Sequence, residues 1–164
     1  MIYFAYGSNL DLKRISARCP SVKVLGEATL RDYRLVFQEN NGGRIVANIE
    51  PCEGHIVYGV LYDIEDEADI ETLDRCEGNP VVYKRTKVVV YHKKRKRRCE
   101  TYIMSPNRVV TVRDKQYLIK RKYGEPREDY YQYIFIGYYN FKLPLESLRH
   151  AREYSKMLGF TKTR

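Results

Sequence analysis

Tyr6-Gly7-Ser8-Asn9 closes a short apolar run, Ile2 to Ala5, and stands before Asp11 to Arg18, a segment that reads as a helix. A strand, a tight polar turn with one glycine and then a helix bring several backbone N–H groups to one place. The unpaired donors at the helix start and the positive end of its dipole add to them. Such a turn suits an anion, a carboxylate as readily as a phosphate. A glycine turn after a strand more often only redirects the chain, and Asn9 reads equally as a plain helix cap. A second charged feature is the basic run Lys93 to Arg98. A solvated hairpin tip, charged to blunt sheet edges, explains it. Phosphate binding to RNA or DNA is its functional alternative, but no interleaved aromatic or nucleic-acid signature accompanies it. His55, His92 and His150 lack ligand spacing, so no metal site is expected.

The 164 residues suit one domain with one core, and 43% hydrophobic residues can fill it. The 16 tyrosines suit strands and pocket walls, where a ring is buried and a polar tip stays available. A formal net charge of +9 permits contact with nucleic acid, anionic membrane or acidic substrates without choosing between them. Cys19, Cys52, Cys76 and Cys99 show no C-x-x-C spacing, and with Gly-Ser-Asn following the first six residues no secretory leader is expected. Free thiols in a reducing cytoplasm are the expectation. No apolar stretch approaches the roughly 18 residues a membrane helix needs.

The elements that must position the turn follow in order. Val22 to Thr29 reads as a strand with Gly26 as a bulge, Tyr33 to Gln38 as another, Ile45 to Glu50 as a third ended by Pro51, and Ile56 to Ile64 as a central strand. Glu65 to Cys76 changes period: acidic residues at its start and Ile70, Leu73 and Cys76 three apart predict an amphipathic helix, with Gly78 at its C-terminus. Val81 to Tyr91 and Cys99 to Met104 read as a strand pair with the basic run between them. Ser105 to Glu125 reads as a long loop with one short strand, Arg108 to Val112. Tyr130 to Ile136 fits a helix or a strand. Leu145 to Leu158 fits a helix capped by Gly159. Strands in runs with helices inserted argue for an α+β fold, with a largely antiparallel or mixed sheet that a small closed barrel would satisfy.

Phe4-Ala5-Tyr6-Gly7-Ser8-Asn9-Leu10 resembles the opening of the γ-glutamylcyclotransferase family. Val57 to Tyr62 is similar to the family strand before its acidic helix, and Leu73-Asp74-Arg75-Cys76-Glu77-Gly78, with Tyr83 beyond it, is similar to its Leu-Asp-x-x-Glu-Gly element. Cys99 to Met104 resembles the strand after that, and Pro126 with Tyr130, Gly137 and Leu143-Pro144 is a weaker match. Gly137-Tyr138 stands where the family often has Gly-Ala, and the basic hairpin and the Ser105 to Glu125 segment look like additions. The resemblance implies a small mixed barrel with flanking helices over residues 1–164. It also implies cleavage of γ-glutamyl amides by the substrate's own α-amine, giving 5-oxoproline and a free amine, without metal or organic cofactor.

On that reading Glu77 is the general base. It ends a predicted helix, where the dipole disfavours negative charge, and apolar neighbours Val81 and Val82 favour burial; both raise a carboxyl pKa. Gly7, Ser8 and Asn9 would hold the substrate α-carboxylate or the oxyanion on the γ-carbon, a choice spacing leaves open. Tyr6, Tyr83 and Tyr130 would line the pocket. The partner is thus a small γ-glutamyl compound, with no membrane partner and the oligomeric state open. The alternative from another class is a non-catalytic module of the same fold that binds nucleic acid or a protein through its basic surface.

Overall fold

A computed structural model describes residues 1–161. The elements are β1 (Ile2–Ala5), α1 (Leu12–Arg18), β2 (Lys23–Glu39), β3 (Ile45–Asp63), α2 (Glu67–Glu77), β4 (Tyr83–His92), β5 (Arg95–Met104), β6 (Asn107–Val112), β7 (Lys115–Lys120), α3 (Glu128–Asn140) and α4 (Leu145–Thr161). Five strands close a barrel in the order β1-β3-β2-β4-β5, as the α+β reading expected. Its pairings are antiparallel except the closing one, β1 with β5, which is parallel through Tyr3 and Glu100. Closure removes the free edges an open sheet would expose. The core is filled by side chains such as Phe4, Phe37, Ile49, Leu61, Tyr62 and Leu73.

The four strands expected between residues 22 and 64 are two long ones. β2 runs unbroken through two irregularities, one at Gly26 (φ 126°), as anticipated, and one at Asp32 (φ 61°). Pro51 does not end β3. It pairs with Tyr33, and the chain bends at Gly54, whose N–H donates to the Asp32 carboxylate at 2.9 Å. A bulge in one strand thus faces a bend in its partner, so both strands continue and curl the sheet.

Two further expectations are corrected. The basic run lies at a hairpin, as expected, but the tip is shorter: only Lys93 and Lys94 form the turn, both at positive φ, and Arg95 to Arg98 are paired residues of β5. The presumed loop from Ser105 to Glu125 holds a second hairpin, β6 with β7, which again turns on two non-glycine residues at positive φ, Arg113 and Asp114. Its base is pinned by Arg121, fully buried, which donates to the carbonyls of Ser105 (2.6 Å) and Glu39 (3.0 Å).

Residues 130–136 belong to helix α3, and Gly137 on it fixes how the helix packs. A Cβ there would lie 2.2 Å from Leu10 Cβ, so only a glycine lets α3 approach the turn that follows β1. α4 buries Leu148, Ala151 and Ser155, and the Ser155 hydroxyl accepts the Phe37 backbone N–H at 2.8 Å. Gly159 is not its cap but an interior helical residue, packed where a Cβ would meet the Tyr123 carbonyl at 2.8 Å. All four cysteines are free, as expected.

Candidate active site

The Tyr6 to Asn9 loop leaves β1 and enters one turn of 3-10 helix, Ser8–Leu10, before α1 begins. Gly7 caps that turn, and its carbonyl accepts the Leu10 N–H at 3.0 Å. The first N–H groups of such a turn have no partner inside it. The donors of α1 behave otherwise than anticipated: Asp11 caps the helix, and its carboxylate takes the Arg14 N–H at 3.0 Å. Asp11 thus occupies one of the α1 donors that the sequence offers to an anion.

Glu77 reaches this loop from α2. The helix starts on Asp66, whose side chain accepts the Ala68 N–H at 2.9 Å, with acidic Glu67 and Asp69 in the first turn. It ends in a left-handed Gly78 (φ 64°): the Gly78 and Asn79 N–H groups return to the carbonyls of Arg75 (3.1 Å) and Asp74 (2.9 Å). This closing motif fixes Glu77 as the last helical residue. One turn earlier, Asp74 accepts the Tyr102 hydroxyl from β5 at 2.6 Å and pairs with Arg85 of β4 at 3.2 Å. Those contacts press α2 against the barrel and aim Glu77 at the loop.

Asn9 is the link. Its amide nitrogen donates to Glu77 Oε1 at 2.9 Å and to the Tyr3 hydroxyl at 3.0 Å, while its amide oxygen accepts from Arg18 at 2.8 Å. Its carbonyl also accepts the buried Tyr62 hydroxyl at 3.0 Å. Asn9 thus caps no helix; it holds the carboxylate. Arg18 completes the cluster, 3.3 Å from Glu77 Oε1. Burial pushes the Glu77 pKa above its ordinary value, although Arg18, the Asn9 hydrogen bond and Arg14 all pull it down.

The remaining sequence candidates meet at the same place. Tyr3, Tyr6, Gly7, Ser8, Asn9, Ala47, Glu77, Tyr83, Tyr102 and Tyr130 line a recess of about 30 Å³. Tyr83 donates to the Ala47 carbonyl at 2.6 Å, and the Ala47 N–H donates to the Tyr130 hydroxyl at 3.0 Å. The two tyrosines thus bracket one residue of β3, Ala47, through its N–H and its carbonyl. Tyr6 donates to the Tyr102 carbonyl. Burial raises the pKa of Tyr6 and Tyr83 well above normal and that of Tyr130 to about 12, so all three are neutral donors at neutral pH. A cleft of about 550 Å³ adjoins the recess and shares Ser8, Glu77, Tyr83 and Tyr130 with it. Glu77 stands at the boundary of the two spaces.

Sequence reasoning missed Arg18, Tyr3, Tyr102 and Asp74 as parts of this site. One signal was present: Arg14 and Arg18 are four apart and share a face of α1. Among the described residues, no group of three or more His, Cys, Asp or Glu side chains is arranged to hold a metal ion.

The profile of the family described as "Gamma-glutamyl cyclotransferase, AIG2-like" matches residues 3–128. Human gamma-glutamylcyclotransferase is 35% identical over 83 residues, covering 47% of this chain and 44% of that protein. The mouse protein of that name is 36% identical over 85 residues, with the same shares. The matched stretch is thus less than half the length of the curated relatives. A solved structure titled gamma-glutamyl cyclotransferase superposes with a TM-score of 0.74 at 26% identity, covering 92% of this chain and 85% of that one. YkqA from Bacillus subtilis, at 23% identity, shares the fold with a TM-score of 0.73 over 94% of this chain and 54% of its own.

Proposed function

The chain belongs to the gamma-glutamyl cyclotransferase, AIG2-like family, and from that premise we propose that it converts γ-glutamyl amides to 5-oxoproline and a free amine. The observation that carries this is a largely enclosed carboxylate, Glu77, its side chain 15% exposed, hydrogen-bonded to the Asn9 side chain of the loop it faces.

The reaction needs no water. The substrate's α-nitrogen bonds to its γ-carbonyl carbon and the amide C–N bond breaks. The α-ammonium gives up two protons in becoming the lactam N–H, and both end on the released amine, which leaves as its ammonium. One of them must be removed before the nitrogen can attack. A free α-ammonium titrates near about 7.8 and a free glutamate near about 4.3, so transfer between them is uphill by about 5 kcal/mol. A glutamate with a raised pKa shortens that climb, and burial raises Glu77. Glu77 takes the first proton to free the attacking lone pair and passes it to the leaving nitrogen, and it relays the second, lost as the lactam forms, the same way; its place between recess and cleft serves both transfers.

Gly7, Ser8 and Asn9 hold the α-carboxylate through their backbone N–H groups, with Tyr6 and Tyr83 as walls. Tyr130, already satisfied as an acceptor from Ala47, keeps its O–H to donate. A neutral phenol there stabilises an oxyanion without adding a competing negative charge. The unit spans the whole chain and works in a reducing cytoplasm, where its free thiols stay reduced.

The test is release of 5-oxoproline from γ-glutamyl amino acids and γ-glutamylamines by the purified protein. Release is expected. A folded protein that releases none from any member of the panel excludes the cyclotransferase reading.

A further inference from the structure

Four arginines line the cleft outside Glu77: Arg14, Arg18, Arg44 and Arg127. Two are matched. Arg18 pairs with Glu77, and Arg127 lies 3.0 Å from Asp129. Among the described residues no carboxylate lies within ion-pair distance of Arg14 or Arg44, although Arg14 is near enough to Glu77 to lower its pKa. They approach from different walls. Arg14 projects from α1, its guanidinium 4.6 Å from the Tyr133 ring centroid, and its Nε is buried without a hydrogen-bond partner. Arg44 stands exposed on the turn between β2 and β3. Asn40 holds that turn: its side-chain oxygen accepts the Arg44 N–H at 3.0 Å, and its N–H donates to the Arg44 carbonyl at 2.7 Å.

Resting on the cyclotransferase reading, we propose that this cleft selects a negatively charged leaving group, with Arg14 and Arg44 as the residues that recognise it. A substrate with its α-carboxylate at the loop and its amide beside Glu77 must extend its leaving group outward, because the recess holds about 30 Å³ and the cleft about 550 Å³. The leaving group then meets the two unmatched guanidiniums. An alkylamine offers them nothing, a neutral amino acid one carboxylate, and glutamate or aspartate two. Planar guanidiniums bind carboxylates through paired N–H donors, and stacking on Tyr133 holds the Arg14 plane ready for such a contact.

The experiment compares kcat/KM for 5-oxoproline release from γ-glutamyl-glutamate, γ-glutamyl-alanine and γ-glutamyl-butylamine. The wild type is expected to use them in that order, with about tenfold lost for each carboxylate removed. In Arg14→Met and in Arg44→Met the ratio between the first and third substrates shrinks about tenfold, and Arg14→Lys restores part of it. Because Arg44 is exposed on a turn, its variant tests the proposal even where Arg14→Met fails to fold. Equal use of the three substrates by the wild type, a preference for the butylamine, or Met variants that slow all three alike overturns the proposal. No release from any of the three overturns the cyclotransferase reading and this selectivity with it.

Discussion

Glu77 and Glu125 both sit against an arginine, and their carboxyls shift in opposite directions. Glu77 lies 3.3 Å from Arg18 with side chains 15% and 20% exposed, and its pKa is raised. Glu125 lies 3.1 Å from Arg152 and 3.0 Å from Lys156 with its side chain 37% exposed, and its pKa is lowered. At Glu77, burial among tyrosines outweighs a cation and an amide donor. At Glu125, the Lys156 hydrogen bond acts first, and with the charges of Lys156 and Arg152 it outweighs desolvation. An arginine contact alone therefore does not say what a carboxylate is for. The recess keeps a carboxylate at some cost to its charged form, while the seam between α4 and the start of α3 uses charge to hold two helices.

The strongest way to break this comparison is to exchange each carboxylate for its amide. Glu77→Gln keeps shape and removes the base, so turnover should fall about 10²- to 10⁴-fold while circular dichroism stays native. Glu125→Gln should leave turnover unchanged. Wild-type turnover in Glu77→Gln would remove Glu77 from the chemistry. Arg18→Met sharpens the same point at smaller amplitude. Arg18 pulls the Glu77 pKa down, so removing it lets burial raise that pKa further. A base must be ionised, so the acid limb of kcat/KM should move to higher pH, by about one unit. A limb that stays in place would mean that another group sets it.

Much of the recess was legible because its signals are local. A glycine after an acidic-headed amphipathic helix predicts the left-handed closure at Gly78, and that closure aims Glu77. The Tyr6 turn and the strand runs are equally local. Arg18 was not legible as a partner, because Glu77 lies 59 residues away and an arginine in a last helical turn reads as an ordinary dipole partner. The hairpin β6–β7 was missed for a different reason. Two-residue hairpin turns need positive φ at both central residues, which Asn-Gly or Asp-Gly usually signals. Here Arg113-Asp114 takes that shape, as Lys93-Lys94 does in the other hairpin. Pro51 and the gap between Thr29 and Tyr33 were each read as strand ends, whereas a bulge at Asp32 and a bend at Gly54 face each other across the sheet and let both strands continue.

The smallest effect concerns the seam itself. Arg152 reaches Glu125 and Glu128 and stacks 4.3 Å from the Tyr131 ring centroid, while Lys156 reaches Glu125 from one turn further along α4. A carboxyl whose pKa is depressed on folding contributes stability above its unfolded value, about 4.3, and loses it as pH falls through the folded value. Glu125→Gln should therefore cost about 0.5 kcal/mol in urea unfolding near neutral pH, the scale of a partly exposed pair. The difference from wild type should shrink as the pH falls below the unfolded value and through the lowered folded one. High salt should shrink it as well, because the seam is open to solvent. A cost that persisted in acid would show that Glu125 acts there through packing or neutral hydrogen bonds. The contrast with Glu77 would then lie in contact geometry rather than in which ionisation state each site favours.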